Sequence, residues 1–202
     1  MHMKETIEIR WHGRGGQGAV TAAKIVADSA VYDGKFVQAF PEFGAERAGA
    51  PVKSFNRISP EPIYIHSQIE NPDVVVVLDP TLLDAVNVCD GLSDGGILIV
   101  NTTEAPQDIK KRCRAERFKV YTVAATDISL RELKRNIPNT PMVAALVKVT
   151  GILKLDAVIE NFKKKYAGKF RPEVIEANVR AMKAAADEVK SEETIDNQVG
   201  SA

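Results

Sequence analysis

The run Gly13-Arg14-Gly15-Gly16-Gln17-Gly18 is the part of this chain best suited to hold an anion. Four glycines in six positions let the backbone turn sharply and point its N–H groups outward. The apolar-periodic stretch that follows, Ala19 to Val31, would aim the positive end of a helix at the same spot. Arg14 adds a guanidinium. The run also satisfies G-x-G-x-x-G, so a dinucleotide pyrophosphate is one ligand such a loop could take. That use needs an acid at the end of the second strand to hold the ribose hydroxyls. The strand expected over Lys35-Phe36-Val37-Gln38-Ala39 runs instead into Phe40-Pro41, with Glu42 the nearest acid, beyond a proline. A turn whose glycines serve only close strand–helix packing is the other reading, and both stay open.

A second loop has the residue types for recognition. Phe40 to Pro51 mixes two prolines, two glycines and two aromatics with Glu42, Glu46 and Arg47. Long ordered loops are where function concentrates. Arg47 is the anion-binding candidate; a solvated Glu–Arg pair of little energetic weight is the bland alternative. His12, beside the glycines, reads more readily as a hydrogen-bonded structural histidine than as a proton carrier. Lys163-Lys164-Lys165 reads as a solvated helix face, and Asp79 as a turn cap or a polar contact at a strand end. The two cysteines, Cys89 and Cys113, and the three histidines, His2, His12 and His66, share no metal-ligand spacing. No metal site and no catalytic residue of its own are expected in this chain.

These loops need a frame, and the pattern supplies one. Ile7–Trp11, Lys35–Ala39, Val52–Ile58, the β-branched run Val74–Leu78, Ile97–Val100 and Lys119–Val123 read as strands, with Pro62–Ile65 as a short extended piece. Ala19, Ala22, Ala23, Val26, Ala27 and Ala30 form a helical stripe, and a short helix passes through Leu82, Leu83 and Val86. Thr140-Pro141, the stretch from Leu155 to Tyr166, and Arg171-Pro172 open three helices in the last third. The alternation predicts an α/β fold: a mostly parallel, doubly wound, Rossmann-like sheet with a helical carboxyl-terminal segment. One domain over residues 1–190 is expected, followed by a polar, frayed tail over 191–202. Sites in such sheets lie at the carboxyl ends of the strands, here Gly13–Gly18, Pro41–Pro51, Asp79–Thr81, Asn101–Thr103 and Ala124–Asp127.

The 27 basic and 27 acidic residues balance, so nothing points to a nucleic-acid surface. No apolar run of membrane-spanning length and no leader pattern is present, which predicts a cytoplasmic protein that spans no membrane.

Both loops together, the first ending in Ala19 and the second reading Pro41-Glu42-Phe43-Gly44-Ala45-Glu46-Arg47-Ala48-Gly49-Ala50-Pro51-Val52, resemble the gamma subunits of 2-oxoacid:ferredoxin oxidoreductases. The ending Ala48-Gly49-Ala50-Pro51-Val52 is similar to that of the pyruvate enzymes, the pyruvate synthases. The likeness runs on through Val75–Asp79, Gly96–Asn101 and Asn139-Thr140-Pro141-Met142, and spans roughly residues 5 to 185. It implies a share in oxidative decarboxylation of pyruvate on thiamine diphosphate and magnesium. Electrons would leave through [4Fe-4S] clusters to ferredoxin, and the acyl group would go to coenzyme A. Those cofactors would sit on or with alpha, beta and delta partner subunits, none being bound by this chain alone. Gly13, Arg14, Gly15, Gly16, Gln17, Gly18, Glu42, Glu46 and Arg47 would then contact coenzyme A or a partner subunit. A free-standing NAD(P)-binding protein and a scaffold subunit without a ligand are the alternatives.

Overall fold

The computed structural model describes residues 6–42 and 49–192. Seven strands form one sheet in the order β2-β3-β1-β4-β5-β6-β7. Its centre is parallel: β1 (Ile7–Arg14), β4 (Val74–Val77), β5 (Ile97–Asn101) and β6 (Lys119–Val123). These strands are buried on both faces, which is why β4 and β5 read as unbroken aliphatic runs rather than alternating ones. Helices α1 (Ala19–Tyr32), α4 (Ala125–Leu133), α5 (Asn139–Thr150), α6 (Leu155–Tyr166) and α7 (Pro172–Glu188) build the larger apolar layer on one face. The short α2 (Leu82–Ala85) and α3 (Pro106–Arg112) belong to the smaller layer on the other.

The flanks depart from the expected parallel winding. β2 (Phe36–Pro41) does not lie beside β1; it forms the sheet edge and pairs antiparallel with β3 (Pro51–Ser59), which pairs antiparallel with β1. Alternation of strands and helices reveals that strands are parallel only if each crossover returns to a neighbour. Here α1 leads to the edge, and β3 folds back to fill the place next to β1. On the far side β7 (Lys190–Ser191) pairs antiparallel with β6, and Lys110 grips the Glu192 carboxylate at 2.9 Å. Ser191 and Glu192, expected in a frayed tail, are therefore tied to the domain. The remainder of that tail, 193–202, lies outside the described residues.

The small-residue stripe of α1 has a specific partner. Ser54 and Asn56 of β3 are fully buried and donate to the carbonyls of Ala19 (3.0 Å) and Ala23 (2.9 Å), while the Trp11 indole donates to Asn56 Oδ1 (2.8 Å). Side chains larger than alanine on that face of α1 would push the helix out of reach of these bonds. Helices α3 and α4 are absent from the sequence reading. α3 is a single short amphipathic stretch, and α4 follows directly on a strand with no capping side chain to mark its start. Pro62–Ile65 joins no ladder. Among the described residues no helix is long and apolar enough to cross a membrane.

Candidate functional site

Antiparallel β3 brings the two loops of interest to one end of the sheet, because Pro51 pairs with Arg14. Gly13 and Arg14 still belong to β1, and Gly18 caps α1 in a left-handed conformation (φ +86°). The loops are bonded directly: the Gly15 N–H donates to Ala50 O (2.9 Å) and the Gly49 N–H to Gly15 O (3.3 Å). Gln17 closes the turn, accepting the Arg14 N–H (2.7 Å) and donating to Asp79 Oδ2 (2.5 Å). Asp79, at the end of β4, also accepts the Thr81 N–H (2.9 Å) and hydroxyl (2.6 Å). Arg14 donates to Thr81 Oγ1 (2.8 Å) and Gly49 O (3.1 Å), and its Nε lies 3.4 Å from Asp79. Burial alone would raise the Asp79 carboxyl. The hydrogen bonds from Thr81 and Gln17 and the charge of Arg14 outweigh it and hold the pKa below the ordinary value. The glycine loop is thus anchored through a carboxylate, and Asp79 is both turn cap and contact.

Neighbouring strand ends continue the network. Asn101 donates to Leu78 O (2.7 Å) and Thr126 Oγ1 (2.8 Å) and accepts the Thr126 N–H (3.0 Å), joining β4, β5 and α4. Asn139, in the first turn of α5, stands over the glycine loop: a Cβ on Gly18 would lie 2.8 Å from its Nδ2. Gly16 (φ +97°) meets no such neighbour. Two glycines of the G-x-G-x-x-G pattern therefore face protein, since a Cβ on Gly13 would also lie 3.2 Å from Ala19 Cβ. The dinucleotide alternative loses its second requirement as well. The neighbour of β1 on that side is antiparallel β3, so no parallel second strand brings an acid to the ribose position.

Of the remaining candidates, Glu42 is half exposed and paired with Lys53 (3.2 Å), with its N–H on Lys53 O (3.0 Å). Glu46 and Arg47 lie outside the described residues. His12 is 3% exposed, and burial, with the charges of Arg10 and Lys53, pushes its pKa down to about 3. It is neutral at physiological pH. The lysine run is a set of tethers: Lys165 pairs with Asp28, Lys164 donates to the Tyr32 hydroxyl (2.7 Å) and Lys163 pairs with Glu176 (3.6 Å). Cys89 and Cys113 are half-buried free thiols, and burial pushes Cys89 up to about 11, away from thiolate chemistry. Among the described residues no group of three His, Cys, Asp or Glu side chains could hold a metal.

The sequence reading missed a cavity of about 720 Å³ beside this end of the sheet, between α1, α4, α6 and α7. Thr21 and Asn139 connect it to the glycine loop, and Phe162, Tyr166 and Phe170 form an aromatic ladder in its wall, the last two stacked at 5.0 Å. Arg135, Lys169 and Arg171 line it without a carboxylate partner among the described residues. Lys169 and Arg171 flank Phe170 in the α6–α7 connection, whereas Arg135 follows α4, so only folding brings the third cation to the other two.

The family model described as pyruvate ferredoxin/flavodoxin oxidoreductase matches residues 8–188. The chain belongs to this family. Among curated members of the oxidoreductase family it is 52% identical to pyruvate synthase subunit PorC of Thermotoga maritima over 94% of this chain and 98% of that protein. It is 48% identical to the pyruvate/ketoisovalerate oxidoreductases common subunit gamma of Pyrococcus furiosus, over 91% of this chain and 97% of that one. The crystal structure of pyruvate oxidoreductase subunit PORC from Thermotoga maritima superposes with a TM-score of 0.82 at 49% identity, covering 94% of this chain and 99% of that one. Family membership thus extends over the glycine loop, the antiparallel flank and the carboxyl-terminal helices alike.

Proposed function

We propose that this chain is the gamma subunit of a pyruvate:ferredoxin oxidoreductase, sharing in the conversion of pyruvate and coenzyme A to acetyl-CoA, carbon dioxide and reduced ferredoxin. The observation that carries this reading is the end-to-end likeness to the Thermotoga maritima pyruvate synthase subunit. In this reading thiamine diphosphate, magnesium and iron–sulfur clusters belong to alpha, beta and delta partners in the cytoplasm, and the gamma chain is an obligate component without a redox centre of its own. The Pyrococcus furiosus relative is common to pyruvate and ketoisovalerate enzymes. The choice of oxoacid is accordingly assigned to the partners.

For the glycine loop the geometry favours architecture: Gln17, Asp79, Thr81 and Gly49 already occupy Arg14 and brace the turn. A contact with coenzyme A is better supported at the neighbouring cavity, where Arg135, Lys169 and Arg171 match phosphate groups and the aromatic ladder matches a purine. Tagged chain recovered with its partners from an anaerobic extract should reduce a viologen dye only with both pyruvate and coenzyme A. Recovery of the chain alone and inactive overturns the subunit reading. In the same assay Arg171→Ala should raise the KM for coenzyme A and leave that for pyruvate unchanged, whereas Arg47→Ala tests the loop candidate. An unchanged KM in an intact Arg171→Ala complex refutes the cavity contact.

A further inference from the structure

Among the described residues β2 ends the sheet, and no strand pairs with its outer side. The Glu42 N–H bonds to Lys53 O, and the antiparallel ladder alternates from there. Phe36, Gln38 and Phe40 therefore turn their backbone groups inward to β3, while Val37 and Ala39 turn theirs outward. Edge strands are normally blunted by charge or proline; here only Pro41, at the far end, does so. Apolar side chains gather at the same edge. Val31, Tyr32 and Phe36 are about half exposed around the α1–β2 turn, and Tyr64 is 82% exposed on the segment crossing the adjacent face. That segment is fastened from beneath: Arg57, 2% exposed, donates to Ile65 O and Ser67 O, and Gln38 Nε2 donates to Ile65 O (2.9 Å). A buried cation and a half-buried amide hold the segment that carries the exposed aromatic.

The strand is also close to a palindrome, Phe36-Val37-Gln38-Ala39-Phe40. We propose that β2 pairs antiparallel with β2 of a second copy of this chain, about a two-fold axis at Gln38, to make one continuous sheet. In that register Val37 lies opposite Ala39 of the copy, and their outward groups form four hydrogen bonds. Phe36 meets the copy's Phe40 on the face where Phe40 already stacks on Phe55, in the pair type that brings side chains closest. The two Gln38 side chains meet already satisfied, each accepting from Arg57 and donating to Ile65 O. Lys35, at the strand's start, comes alongside Glu42, at the copy's end. Sliding by one pair in either direction loses bonds, because Pro41 has no N–H and the Lys35 N–H is already spent on Ala30 O. The strand's own pattern thus selects an isologous dimer over pairing with an unrelated strand.

Sedimentation of the full-length chain should give twice its mass at micromolar concentration. Ala39→Pro costs no internal hydrogen bond, since that N–H faces outward, and removes two of the four across the axis. Phe36→Glu places charge against Phe40. Each should raise the dissociation constant by about tenfold or more, with circular dichroism and melting temperature near those of the parent chain. Gln38→Cys should cross-link to a disulfide dimer under mild oxidation, alone and in the assembled complex, because opposed positions of this type lie about 4.5 Å apart at Cα. The parent chain, with its half-buried cysteines, should not. A monomeric parent chain, or a dimer indifferent to both Ala39→Pro and Phe36→Glu, overturns the proposal.

Discussion

The carboxyl end of the parallel strands and the β2 edge are opposite solutions to the same problem of unfinished hydrogen bonding. At the carboxyl end the chain finishes its own bonds: Gln17, Asp79, Thr81 and Asn101 join the glycine loop to β4, β5 and α4. The Arg14 and Gln17 side chains there are spent within the turn, and a ligand or partner meets a braced surface. At the β2 edge the backbone of Val37 and Ala39 finds no strand among the described residues, and the segment carrying exposed Tyr64 is held by buried Arg57 and half-buried Gln38. The difference teaches that a glycine-rich loop is not a binding site merely because its backbone can reach a ligand. What counts is whether its donors are still free.

His12 lies where the two regions meet, on β1 between Lys53 and Val77, and it carries the largest effect. Its folded pKa is about 3, against about 6.5 in an unfolded chain. Between those values the unfolded state binds more protons, so stability rises with pH. The contribution is complete above about pH 6.5 and is lost on acidification, with a slope approaching about 1.4 kcal/mol per pH unit. Urea unfolding from pH 7 down to about pH 4 should show this slope, and His12→Asn should flatten it. An equal slope in the variant would remove His12 from the account.

Arg57→Ala attacks the open side. It leaves Glu8 without its 2.7 Å ion-pair partner and frees the 60s segment, which should cost about 3 kcal/mol in urea unfolding. Amide exchange should rise first around residues 63–68. Unaltered exchange there would mean that the segment is held by something other than this pin.

Gly18→Ala attacks the closed side and should cost about 2 kcal/mol, combining a left-handed backbone with a contact on Asn139. Gly16→Ala, strained but in open space, should cost about 1 kcal/mol. Equal losses would show that Asn139 yields without penalty, and the turn would then be less rigid than its bonds suggest.

Much of this molecule was legible in one dimension because its signals are local. The aliphatic runs Val74–Leu78 and Ile97–Val100 can only be buried strands, the alanine stripe of α1 can only face something close, and Arg171-Pro172 opens a helix wherever it lies. The glycine loop and its companion loop, with their spacing, identified the family. Other features depend on which segments become neighbours. Nothing near Lys35–Pro41 says that β2 goes to the edge, because strand order follows from how α1 packs on β3 through Ser54 and Asn56. Asp79 and Gln17 are 62 residues apart, and Arg135 is remote in sequence from Lys169 and Arg171, yet folding brings each set together. Sequence determines what a segment can be, since propensity and periodicity act over a few residues. Only tertiary structure decides whose donors and charges are satisfied, since hydrogen bonds and ion pairs act between atoms that the chain alone does not make adjacent.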